Sequence, residues 1–124
     1  MTILCCGDRK WRLLLPIMQR LGSFSSGHTV VVHGDAPGAD KLCDAVARYL
    51  GMAVQPYPAD WVSLGKKAGP IRNQAMLDRH PEIELVIAFH ANLAESKGTA
   101  DMVARARKAG IPVEIITGCA PPSA

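Results

Sequence analysis

Aromatic residues are scarce in this chain. Two Trp, two Tyr and two Phe make up 5% of its 124 residues, too few to tile a stacking groove for single-stranded nucleic acid. Cationic runs are missing too: no basic block exceeds Lys66-Lys67, and the formal net charge is only +3. That balance permits anion binding without demanding DNA or RNA, so nucleic acid is not an expected partner. The four cysteines are Cys5, Cys6, Cys43 and Cys119. They include no CxxC pair and no Cys/His cluster at zinc spacing, so no metal and no cofactor are expected. Adjacent Cys5 and Cys6 alternate across a strand, which disfavours a bridge between them; the expectation is free thiols in a reducing cytoplasm. The apolar run before Gly7 is too short for a leader and has no basic region ahead of it. No apolar stretch reaches membrane length. The GxGxxG, Walker A and nucleophile-elbow patterns are absent, as are internal repeats.

What is present is the composition of an ordinary globular protein, 48% hydrophobic and 20% charged. The length suits one domain, expected over residues 1–118, with 119–124 as a frayed tail. Short apolar runs alternate with helix-like stretches. Residues 2–6 read as a buried strand, and 11–21 as a helix that Pro16 must start late or kink. The β-branched run at 29–33 is the clearest strand. Residues 38–50 form a helix whose apolar face holds Ala39, Leu42, Cys43, Val46, Ala47 and Leu50. A short strand at 53–57 precedes a loop at 58–69. A helix at 71–80 follows Pro70, then a strand at 85–89, a helix at 98–109 and a strand at 112–117. This βα alternation predicts a three-layer, Rossmann-like α/β fold: five strands, mostly parallel, with helices on both faces. Right-handed crossovers then gather every strand-to-helix loop at one edge of the sheet, where ligands of such folds bind.

Those loops carry the candidate residues. The first, Gly7-Asp8-Arg9-Lys10-Trp11, offers a close turn, two cations for phosphate, and Trp11 either as a base platform or as core packing. The second, His33-Gly34-Asp35-Ala36-Pro37-Gly38-Ala39-Asp40, brings a helix N-terminus to the edge, a place suited to phosphate. Its two aspartates oppose dense phosphate contact; Asp40 either caps the helix or holds a ribose hydroxyl. His33 reads as a satisfied strand-end histidine rather than a base. In the third, Trp61 reads as a hydrophobic anchor, Lys66 and Lys67 as solvated, and Arg72 as a planar grip for phosphate or carboxylate. The fourth offers Ser96 or Thr99 as a helix cap and Gly98 for close ligand approach.

Taken in order, Gly7-Asp8-Arg9, the His33 to Asp40 string, Ala59-Asp60-Trp61 with Gly69-Pro70-Ile71-Arg72-Asn73-Gln74-Ala75-Met76, and Ser96-Lys97-Gly98-Thr99-Ala100-Asp101-Met102 resemble the signatures of one family. It is the YspA-like branch, also called DUF2493, of the SLOG superfamily, which also holds DprA and the LOG cytokinin-activating enzymes. The resemblance spans residues 3–117. It implies strand order 3-2-1-4-5 and a pocket for a nucleotide or a nucleotide-derived, ADP-ribose-like molecule. It places Gly7, Arg9, Gly34, Gly38, Ala39, Asp40, Arg72, Asn73, Ser96, Gly98 and Thr99 around that ligand; Trp11, Asp35 and Lys97 join the candidate set from the same loops. Asp8 and Asp35 depart from the family pattern, in which smaller residues are commoner. A homodimer is a further implication, with the small-residue face of the 98–109 helix as one possible contact.

LOG enzymes cleave the N-glycosidic bond of nucleoside monophosphates with an arginine and a glutamate. Arg72 resembles that arginine. The glutamate position is Met102 here, and Asp101 lies one residue earlier, turned about 100° around a helix. Hydrolysis would therefore rest on Arg72 and Asp101, with a shorter carboxylate at a poorer angle. The site chemistry favours a binder, acting as a sensor or a sequestering protein, over a phosphoribohydrolase, and both over DprA-like single-strand DNA binding.

Overall fold

The computed structural model describes residues 1–118; the expected tail and Cys119 lie outside the described residues. Within them, five strands form one sheet: β1 (Thr2–Gly7), β2 (Val30–His33), β3 (Ala53–Pro56), β4 (Ile83–Phe89) and β5 (Val113–Ile116). Their order is β3-β2-β1-β4-β5 and every pairing is parallel, so the mostly parallel sheet of the sequence reading is parallel throughout. β1 is the hub, pairing Leu4 with Val32 on one side and with Val86 on the other.

Alternation along the strands feeds two cores. Ile3, Cys5, Val31, Ile87 and Phe89 face α1 (Leu14–Leu21) and α2 (Ala39–Tyr49), meeting Ile17, Leu21, Cys43 and Ala47. Leu4, Cys6, Val32, Val86 and Ala88 face α4 (Ala68–Arg79) and α5 (Gly98–Lys108), meeting Met76, Leu77, Met102, Val103 and Ala106. Burial of the three central strands on both faces explains why they read as continuous apolar runs instead of alternating ones. No helix among the described residues is long and apolar enough to cross a membrane.

Pro16 is the third residue of α1, so the helix starts late, where a missing amide costs little. The expected loop at 58–69 is largely helical instead. Asp60 Oδ1 accepts the Ser63 amide at 3.1 Å and caps a single turn, α3 (Trp61–Leu64). A 3-10 turn over Gly65–Lys67 leads directly into α4, which begins two residues before Pro70.

Candidate functional site

The strand order reverses between β1 and β4, and the loops leaving those two strands diverge there. A cavity of about 580 Å³ opens at this point, within the size range of small-molecule sites. Its walls come from all four strand-to-helix loops and from α4.

The β1 loop is cinched by its own backbone. The Asp8 amide donates to Phe89 O at 2.9 Å, while Asp8 O accepts the amides of Trp11 (3.1 Å) and Ala39 (3.0 Å). A Cβ on Gly7 would strike the Phe89 carbonyl and the Ala39 methyl group; one on Gly38 would strike the carbonyls of Asp8 and Arg9. Gly38 also holds φ at +79°. These two glycines thus clear the protein's own chain. Gly38 and Ala39 do not line the cavity, and neither does Asp35.

The α2 terminus is likewise closed. The Ala39 amide goes to Asp8 O, the Lys41 amide to Ala36 O at 3.3 Å, and the Ala36 amide to Asp40 Oδ2 at 3.2 Å. Two amides of the first turn of this helix, those of Ala39 and Lys41, are therefore taken by internal partners. Asp35 adopts φ +56°, the left-handed region that glycine holds most easily. Its amide donates to His33 Nδ1 at 2.9 Å, which leaves Nε2 of the fully buried His33 to donate to Asp44 Oδ2 at 2.7 Å. His33 is a satisfied strand-end histidine, as its position suggested.

Arg72 organises the floor. Its Nη1 donates to the carbonyl of Gly34 and, at 3.4 Å, to that of Tyr57; its Nε donates to Asn73 Oδ1 at 2.9 Å. A Cβ on Gly34 would fall on the guanidinium, so this glycine admits Arg72 rather than a ligand. Burial pulls the Arg72 pKa down against the attraction of Asp40, but a guanidinium stays charged. Asn73 is buried and links two walls, donating from Nδ2 to Asp101 Oδ2 at 3.0 Å and to Gly98 O at 3.4 Å. Asp101 also accepts Arg105 Nε at 2.8 Å. Burial alone would raise the Asp101 pKa; the hydrogen bonds from Arg105 and Asn73 outweigh it and hold the carboxylate low.

Asp40 is only 6% exposed and lines the cavity. Burial raises its pKa, opposed by the Ala36 amide, by His33 and Arg72, and by the nearby Gly34 amide. Its Oδ1 nonetheless makes no hydrogen bond among the described residues. Beside it, burial and the Asp40 charge push the Cys6 thiol up, which keeps it protonated and unsuited to nucleophilic attack.

On the α5 side, Ser96 Oγ accepts the amides of Thr99 (2.9 Å) and Ala100 (3.3 Å), so Ser96 caps the helix. Gly98 differs from the other site glycines: a Cβ there would meet nothing within 4 Å, and the residue faces the cavity. Arg9, Lys10, Lys66 and Lys97 also line the cavity. None of their side chains has an ion-pair partner among the described residues.

Of the two readings open for Trp11, the structure shows core packing, and Trp61, read as a hydrophobic anchor, is the exposed tryptophan. Trp11 is 6% exposed, packs against Phe89 with ring centroids 5.9 Å apart, and donates from Nε1 to Leu13 O at 2.8 Å. It is a core residue, not a base platform. Trp61 is 49% exposed and lines the cavity. His90 was also missed. It directly follows β4, its Nδ1 accepts the Asn92 amide at 3.0 Å, and its Nε2 stands 4.0 Å from Asp8 Oδ2. Its place immediately after a buried strand was the signal that could have found it.

The fold and this edge-of-sheet cavity define a Rossmann-like α/β domain with a ligand-sized opening at its topological switch point. The crystal structure of DNA processing protein A (DprA) from Streptococcus pneumoniae matches 98% of this chain with a TM-score of 0.68 at 18% identity. The chain spans about half of that protein, 52% of its length. No protein-family model matches the chain. The Gene 61 protein of Mycobacterium phage D29 is 38% identical over 119 residues, covering 90% of this chain and 92% of that protein. The chain belongs to the family of that phage protein.

Proposed function

We propose that this protein binds a nucleotide or a nucleotide-derived, ADP-ribose-like molecule in the cavity between β1 and β4, as a sensor or a sequestering protein of the YspA-like type. The observation that carries the reading is the composition of the cavity. A half-buried guanidinium at its floor is restrained through Nη1 and Nε, and four cations without ion-pair partners among the described residues surround it. That arrangement suits an anionic ligand of moderate size. Phosphate would be met mainly by side chains, since the Ala39 and Lys41 amides of α2 are already engaged. Asp40 Oδ1 has no partner among the described residues, and a sugar hydroxyl could satisfy it in either protonation state, because a hydroxyl both donates and accepts. Calorimetry with ADP-ribose and AMP tests the reading. Binding is expected, and both Arg72→Ala and Gly98→Val should abolish it. An absence of heat at millimolar ligand would overturn it.

A second reading has one specific observation behind it: Asn73 bridges Arg72 to an ionised Asp101 within the same cavity. A phosphoribohydrolase would place those two groups around a glycosidic bond. Incubation with AMP should then release adenine, and Asp101→Asn should stop the release. Chromatography showing no free base would dismiss this for that substrate. Single-strand DNA binding has only the fold likeness to DprA behind it, and a low-salt gel shift decides it. A homodimer belongs to the proposal as well and is read by sedimentation.

A further inference from the structure

We infer that Trp61 is the platform on which the ligand's planar ring stacks, so that the cavity selects a base-bearing nucleotide over a bare sugar phosphate. The inference rests on the nucleotide reading above and goes on to assign where the base lies.

Two independent observations carry it. The first is exposure. An indole left 49% accessible in a cavity wall keeps apolar area in water that burial would stabilise. The same chain shows the alternative, with Trp11 sunk into the core. The second is what supports the ring. Gly69 sits in the first turn of α4, where alanine is the better helix former. A Cβ at Gly69 would come within 3.2 Å of the far edge of the Trp61 ring, closer than an undisturbed contact allows. The glycine therefore lets the indole lie close against α4. The Asp60 cap fixes the single turn that carries the ring.

The surroundings agree with a stacked base. Pro70 and Met76 line the same cavity and supply apolar surface, while Lys66 lies on the wall that carries the indole. Arg9 and Lys97 come from the loops after β1 and β4, line the same cavity and have no ion-pair partner among the described residues, so they are free to meet phosphate. Stacking needs only a π-face and tolerates different bases, so selection between bases would be weak and selection for having a base strong.

The test compares AMP with ribose 5-phosphate on the intact protein and on Trp61→Leu and Trp61→Phe. AMP should quench the tryptophan emission of the parent protein. By calorimetry, Trp61→Leu should weaken AMP roughly five- to hundred-fold while leaving ribose 5-phosphate within about two-fold, and Trp61→Phe should retain most of the affinity. The residual emission of Trp61→Leu, which comes from Trp11, should not respond to AMP. If the parent protein binds AMP and Trp61→Leu binds it equally well, or if both ligands weaken together, the inference fails and the nucleotide reading stands. A Trp61→Leu protein whose sedimentation shifts with unchanged AMP affinity would assign the ring to an interface and overturn the inference too. If neither ligand binds the parent protein, both readings fall.

Discussion

The two sides of the cavity are built on opposite terms. On the α2 side, Gly7, Gly34 and Gly38 each clear a piece of the protein itself: a carbonyl, a methyl group or the Arg72 guanidinium. The amides of Asp8, Ala39 and Lys41 are engaged there by the protein's own carbonyls. On the other side, Gly98 faces open space, Trp61 stands half in solvent, and Lys66 and Lys97 have no ion-pair partner among the described residues. A glycine-rich loop at a sheet edge thus has two different meanings. One set of glycines allows the chain to pack; the other leaves room for something that is not the chain.

The sharpest way to break this contrast is to add the same side chain on each side. Gly38→Val forces a β-branched residue to φ +79° and into two carbonyls. It should cost at least about 3 kcal/mol and lower the melting temperature sharply. Gly98→Val should stay within about 0.5 kcal/mol of the parent in thermal unfolding and lose ligand binding alone. Equal stability of the two variants would erase the distinction. Asn73→Leu cuts the link between the sides and strands the groups it served, at about 2 kcal/mol by denaturant unfolding.

Asp40 separates stability from binding more finely. Its folded pKa lies above the ordinary 3.8, so the native state holds the proton more tightly than the unfolded chain. That contribution is fully present below 3.8 and is lost as pH rises through the folded value. Asp40→Asn should therefore raise the melting temperature at pH 7, with the gain vanishing below pH 3.8, while weakening the ligand. A melting temperature at pH 7 below that of the parent would refute this. The smallest effect is expected from Lys97→Ala, a two- to five-fold loss of affinity that shrinks as salt is added; roughly this size is usual for one exposed charge.

The three central strands were legible because they are buried on both faces and appear as short apolar runs, while the edge strands β3 and β5 are more exposed. The resemblance supplied the strand order, which periodicity alone does not contain. The segment from Trp61 to Lys67 was misread because Pro58, Gly65, Gly69 and Pro70 all signal a break. The Asp60 cap and the tolerance of a helix's first turn for proline outweigh them. Arg72, Asn73, Gly98, Lys10 and Lys97 were reachable from their loops, whereas Lys66, read as solvated, lines the cavity. The choice between the two readings of Trp11, and the exposure of Trp61 in the cavity wall, were not reachable, because burial depends on what packs from elsewhere in the chain: Phe89 covers Trp11, while Gly69 leaves room for the Trp61 ring.

The left-handed backbone at Asp35 limits what position 35 will accept. Glycine or asparagine would hold that turn with less strain than aspartate, whereas valine or isoleucine would be excluded sterically whatever its contacts. A library randomised at this codon and selected only for soluble expression should return Gly, Asn and Asp, turning a single torsion angle into a pattern of permitted letters.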